Sequence, residues 1–192
     1  MKPEAAVVYT LQILEELKIP YMVVGSFSSN QYGPSRSTKN ADLVIQHSSD
    51  TFRELIRRLE PEIKVDRQIS FESVTGTARN IATVVKTGFQ IEFFRLSKDS
   101  HDLRRFERRK KIHFEGSSIW MQTVEDVVIT KLRWILNADR PRDLADVREV
   151  LSASRDVIDW DYVNQWTDQH GTSDLLASIQ TTLPAELQPD RD

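Results

Sequence analysis

Gly25-Ser26 follows directly on the apolar run Tyr21-Met-Val-Val24. A buried strand that ends on Gly-Ser where a helix begins leaves backbone N–H groups pointing outward, and a phosphate can sit there. Gly33-Pro34 breaks the short helix expected over Phe27–Tyr32, a polar loop follows, and Asp42 leads into a second apolar run, Leu43–Ile45. A carboxylate at that point can hold a metal ion against a phosphate bound at the turn. Arg36 and Lys39 lie in the loop between, as phosphate contacts or as solvated cations. Taken singly, these residues admit bland readings. Gly25-Ser26 is also an ordinary strand-to-helix turn, and Asn40 and Asp42 also suit a loop whose side chains satisfy nearby backbone.

The segment Tyr21–Gln46 resembles the signature of the nucleotidyltransferase superfold, the polymerase-beta-like group that includes many small prokaryotic proteins. In that group a Gly-Ser or Gly-Gly turn is followed by two acids separated by one residue, and a third acid comes from a later strand. The resemblance gives Gly25-Ser26 the role of the turn, Asp42 that of the second acid, and Glu92 in Gln90-Ile-Glu-Phe-Phe94 that of the third. Asn40 stands where the first acid belongs. The likeness continues through Thr123–Trp134 and Arg142-Asp143, which resemble the helical half of proteins in this group.

The resemblance implies an α/β (α+β) domain, a mixed sheet flanked by helices, over residues 1–121. A helical subdomain over 122–183 and a polar tail over 184–192 follow. It implies Mg²⁺-dependent transfer of a nucleotidyl group from an NTP to a protein, RNA or small-molecule acceptor. Gly25, Ser26, Arg36 and Lys39 would then bind the nucleotide phosphates, and Asp42 and Glu92 would be the catalytic, metal-holding carboxylates. Asn40 offers only a neutral carbonyl oxygen, a weak ligand. Mg²⁺ is ordinarily held by one or two carboxylates together with phosphate oxygens and waters, so this set suits one substrate-bound ion and is poor for two. The alternative is a catalytically inactive member that binds nucleotide or a partner protein, as toxin–antitoxin components of the superfold do. The oligomeric state is left open.

The elements that position these residues are legible from periodicity. Val7, Val8, Leu11, Leu14 and Leu17 give a helix over 4–18, stopped by Ile19-Pro20. Phe52, Leu55, Ile56 and Leu59 give a second, with N-caps at Ser48-Ser49-Asp50 and a capping box expected at Thr51-x-x-Glu54. Strand patterns follow: Ile69 and Phe71 alternate with polar residues, Thr75-Gly76-Thr77 reads as a turn, and Ile81–Thr87 and Phe89–Leu96 are strands. Period two sets Glu92 on the face opposite Ile91. A carboxylate there fits a face that lines a cleft, or equally a solvent-facing edge strand. Short β segments are expected at Ile112–Phe114 and Ser118–Trp120, and helices from Thr123 onward. Lys131 falls beside the apolar stripe of the first of these helices, paired with Asp143 or Asp146 or touching phosphate. The run Arg104, Arg105, Arg108, Arg109, Lys110, Lys111 is a solvated face or a nucleic-acid contact.

Composition narrows the classes. The chain has 192 residues, 39% of them hydrophobic and 29% charged, as ordinary globular proteins do. A net charge of -3 gives no general attraction to nucleic acid or anionic membrane. The absence of cysteine rules out disulfides, thiolate zinc sites and a cysteine nucleophile, and four scattered histidines argue against a histidine-rich metal site. Met-Lys-Pro-Glu at the N-terminus does not read as a signal peptide, and no apolar run approaches the roughly 20 residues of a membrane span. A cytoplasmic protein without membrane partners is expected.

Overall fold

All four residues of β1 (Tyr21–Val24) are buried, which requires cover on both faces of the sheet. The computed structural model describes residues 1–71 and 77–183. The expected turn at 75–77, apart from Thr77, and the tail 184–192 lie outside the described residues. The chain divides into two units. The first is Met1–Phe27 with Ser37–Gln122; the second is Ser28–Arg36 with the described residues from Thr123 on.

Among the described residues, the first unit is built on one mixed sheet of eight strands. Besides β1 these are β2 (Asn40–Ile45), β3 (Ile63–Val65), β4 (Ser70–Phe71), β5 (Ala78–Val84), β6 (Gln90–Arg95), β7 (Lys110–Phe114) and β8 (Ser117–Met121). Their order is β3-β5-β6-β2-β1-β8-β7, with β4 on β5. β1 runs antiparallel to β2, while β2 runs parallel to β6 with Asp42 directly beside Glu92. β6 is therefore an interior strand, which removes the edge-strand explanation for Glu92. α1 (Pro3–Glu16) and α3 (Ser49–Leu59) pack on each other, burying Leu11, Leu14, Leu55 and Leu59. α4 (Ser100–Arg108) lays Phe106 against Met22, Val24 and Val44.

Two local expectations shift. β2 begins at Asn40, three residues before its apolar run, because its pairing with β6 continues through Asn40↔Gln90; Asn40 and Asp42 are strand residues, not loop residues. The capping box of α3 forms one position set earlier, between the Ser48 hydroxyl and Thr51. Glu54 is engaged elsewhere, by Arg57 and Arg58.

The second unit comprises α5 (Val124–Asn137), α6 (Pro141–Ser154), α7 (Trp160–His170) and α8 (Ser173–Thr181). Their core joins Val127, Val128, Leu132, Val147, Leu151, Val163 and Ile179, with Tyr32 packed against it. Thr123 caps α5 by accepting from the Asp126 N–H, and Asp159 caps α7 through the Tyr162 N–H. α2 (Gly25–Tyr32) starts in the first unit, two residues earlier than the expected Phe27, and its residues from Ser28 belong to the second.

Candidate active site

Gly25, directly after β1, has φ +65°, a conformation that side chains disfavour. The same residue faces Asp42 so closely that a Cβ would stand 2.0 Å from Asp42 Oδ2. Glycine is thus required twice, by its backbone and by the carboxylate pressed against it. Asp42 is placed there by register, since Val24 pairs with Asp42 across β1 and β2.

Asn40, Asp42 and Glu92 share one face of the β2–β6 pair. Asn40 Nδ2 donates to Asp42 Oδ1 at 2.8 Å and to Glu92 Oε1 at 3.1 Å, so one amide nitrogen lies within reach of both carboxylates. Glu92 is only 7% exposed, and its other oxygen accepts from Arg79 Nη1 at 2.5 Å. A carboxylate this buried needs such partners. Arg79 is the residue that sequence reasoning missed. Its signal was period two: Arg79 pairs with Phe94, and Ile81 with Glu92, on the same face. The strand expected there began only at Ile81, so Arg79 fell outside it.

Two of the remaining predicted residues stay in the first unit. Ser26 is half-buried in the first turn of α2. Lys39 is exposed, and its carbonyl accepts from the Gln90 N–H.

Arg36 belongs to the second unit, in a bidentate bond to Asp146: Nε to Oδ1 at 2.9 Å and Nη2 to Oδ2 at 2.8 Å. Lys131, only 3% exposed, donates to Asp143 Oδ1 and to Asp146 Oδ2, each at 2.7 Å. Arg140 completes the cluster on Asp143. Burial by itself raises the Asp146 carboxyl, but the hydrogen bonds and charges of Arg36 and Lys131 outweigh it and hold the group below its ordinary range. The Asp146 partnership in turn raises the Arg36 guanidinium.

Another set of possible metal ligands among the described residues is Asp99, His101 and Asp102, at the start of α4. There Asp99 already serves as the helix cap, accepting from the N–H groups of His101 and Asp102, and Asp102 binds Arg105.

A mixed sheet flanked by helices, whose strand β1 turns through Gly-Ser into a helix, is the architecture of nucleotidyltransferase-like proteins. Solved structures agree on the fold. ANT(2")-Ia in complex with adenylyl-2"-tobramycin superposes with a TM-score of 0.60 at 9% identity, covering 88% of this chain and 96% of that one. An antigenic nucleotidyltransferase-like protein from Paracoccidioides brasiliensis gives 0.54 at 12% identity, over 95% of each chain. The lincosamide antibiotic adenylyltransferase LnuA, with lincomycin bound, gives 0.50 at 12%, over 78% and 97%. No curated protein matches the sequence. The family described as "Nucleotidyl transferase AbiEii toxin, Type IV TA system" matches residues 16–191, and the chain belongs to that family. Nucleotidyl transfer is the family's function.

Proposed function

We propose that this protein transfers a nucleotidyl group from an NTP to an acceptor, with one Mg²⁺ held between Asp42 and Glu92. The observation that carries this is the convergence of Asp42 Oδ1 and Glu92 Oε1 on a single point, now taken by Asn40 Nδ2. That donor set fits one hard cation: half a turn of the Asn40 amide brings its oxygen to the same place. With Arg79 on Glu92, the local charge suits a single ion arriving with its phosphates. When bound, the ion would neutralise charge on the phosphate oxygens. The chain's own residues do the positioning. The first-turn N–H groups of α2 and the Ser26 hydroxyl receive a phosphate, Gly25 admits the Asp42 carboxylate, and Arg79 holds Glu92 in place. The acceptor is a small molecule, RNA or protein, and the compartment is the cytoplasm.

A second reading has its own support. Asn40 and Arg79 already give both carboxylates partners without a metal ion, which is how a catalytically silent, nucleotide- or partner-binding member of a toxin–antitoxin pair would be arranged. Calorimetric titration of each NTP with Mg²⁺ and with EDTA separates the two. Transfer predicts metal-dependent binding that is lost in Asp42→Ala and Glu92→Ala, and label transfer from an α-labelled NTP that rises in Asn40→Asp. NTP binding indifferent to EDTA, with no label transfer in either form, would leave the silent reading standing.

A further inference from the structure

Along β6, Glu92 and Phe94 point to one face of the sheet, and Phe93 and Arg95 to the other. On that second face, between α3, the segment before β4 and strands β5 and β6, lies a groove of about 530 Å³. Its interior is apolar, with Phe52, Ile56, Ile69 and Phe93 among its lining, and Ile69 is 58% exposed. Its rim is cationic: Arg53 and Arg57 stand on α3, Arg67 before β4 and Arg95 at the end of β6, with Glu60 the one carboxylate among the described lining residues. Arg53 and Arg57 are held by Asp50 and Glu54 in exposed pairs one helical turn apart. Such pairs contribute little and exchange readily for another carboxylate. Among the described residues, Arg67 and Arg95 make no ion pair.

We propose that this groove docks an acidic, amphipathic segment of a partner protein, its apolar side chains on Ile56 and Ile69 and its carboxylates on Arg67 and Arg95. An apolar interior between cationic rims is complementary to such a segment in both respects. A polynucleotide fits less well. A single strand binds by stacking bases on aromatic rings along a basic track, and here the Phe52 ring is already covered by His47, stacked at 4.5 Å. The chain's charge of -3 also gives a long polyanion no general attraction, whereas a short segment needs only charges within a Debye length, about 8 Å.

The test pans the protein against a phage-displayed library of random peptides. Fluorescence anisotropy then follows with a labelled peptide from the selected clones, beside labelled oligouridylate. The expected clones alternate Asp or Glu with Leu, Ile or Phe. The Kd of the selected peptide should rise about tenfold or more in the double variant Arg67→Glu/Arg95→Glu, and should hold in Lys110→Glu/Lys111→Glu, a control on the other basic surface. All four of these side chains are exposed, and circular dichroism checks that each variant folds. Asp42→Ala should bind the peptide unchanged, so docking and nucleotidyl transfer fail or succeed separately. The proposal is overturned by a selection that yields no acidic–apolar clones, by peptide binding that survives Arg67→Glu/Arg95→Glu, or by oligouridylate binding that the same variant abolishes.

Discussion

Replacing Gly25 with alanine places a methyl carbon 2.0 Å from Asp42 Oδ2 and 2.9 Å from its carboxyl carbon. Ordinary contact begins at 3.4 Å, so the carboxylate must retreat by about 1.4 Å, the difference between the two distances. That retreat breaks the 2.8 Å bond from Asn40 and removes Asp42 from the point where the two carboxylates converge. The positive φ adds a backbone cost of about 1–2 kcal/mol. Gly88 provides the control: its φ is +71° and nothing lies within 4 Å of its absent Cβ, so Gly88→Ala carries the backbone term alone. Urea unfolding should show Gly25→Ala more destabilised than Gly88→Ala by at least about 1 kcal/mol, the cost of a disturbed hydrogen bond at a part-buried carboxylate. In an Asp42→Ala background that excess should shrink, because only the β-carbon contact at 3.1 Å remains. Label transfer should fall about a hundredfold, as misplacing a reacting group by an ångström can do. If Gly25→Ala and Gly88→Ala were equally stable and Gly25→Ala bound Mg²⁺–NTP normally, the close approach of Asp42 would have no role in the site.

Two further predictions concern the ion cluster of the second unit. Lys131→Met should cost about 3 kcal/mol in urea unfolding, the lower end for breaking a buried pair, because Arg36 and Arg140 still hold Asp146 and Asp143. A loss within about 0.5 kcal/mol, typical of surface changes, would mean that Lys131 is dispensable. Asp146 is held below its ordinary value of 3.8 by Arg36 and Lys131. Its contribution is therefore fully present above that value and is lost as pH falls through the carboxylate range towards the lower, folded value. Urea midpoints measured between about pH 6 and pH 3 should fall more steeply in the wild type than in Asp146→Asn. Parallel curves would assign the acid limb to other carboxylates.

The strands and helices were legible where apolar periodicity was clean. Tyr21–Val24 has the same bounds in sequence and structure, and the stripe Phe52, Leu55, Ile56, Leu59 falls wholly within α3. Hidden from the sequence were features decided by pairing at a distance. Nothing local says that Asn40 belongs to a strand; its register partner is Gln90, fifty residues on. The capping box is hidden for a local reason, since Ser48–Thr51 and Thr51–Glu54 both have suitable donors and acceptors. The choice follows from Arg57 and Arg58 taking Glu54. Of the candidate site, the resemblance to the nucleotidyltransferase superfold singled out Gly25, Asp42 and Glu92. It did not supply Arg79, whose place depends on β5 lying antiparallel to β6. Lys131 was legible as a helix residue beside an apolar stripe. That it would meet both Asp143 and Asp146 required the packing of α5 on α6.

Asn40 is best understood through what two adjacent carboxylates demand of their neighbour. Asp42 and Glu92 stand side by side on parallel strands, and Glu92 is buried; like charges so placed repel and need a donor or a cation between them. A third carboxylate at position 40 would deepen that repulsion and make a stable site conditional on metal. An amide reverses the sign of the interaction: its N–H groups bind both neighbours, and the site stands with or without an ion. On the proposed reading, asparagine at position 40 gives up metal affinity and gains independence from metal. Asn40→Asp should accordingly lose stability in EDTA and recover it with Mg²⁺. The size of that recovery relative to wild type measures how strongly an ion is drawn between Asp42 and Glu92. An Asn40→Asp protein equally stable in EDTA and Mg²⁺ would show that Arg79 alone is enough to balance the carboxylates and that no ion is called for at this position.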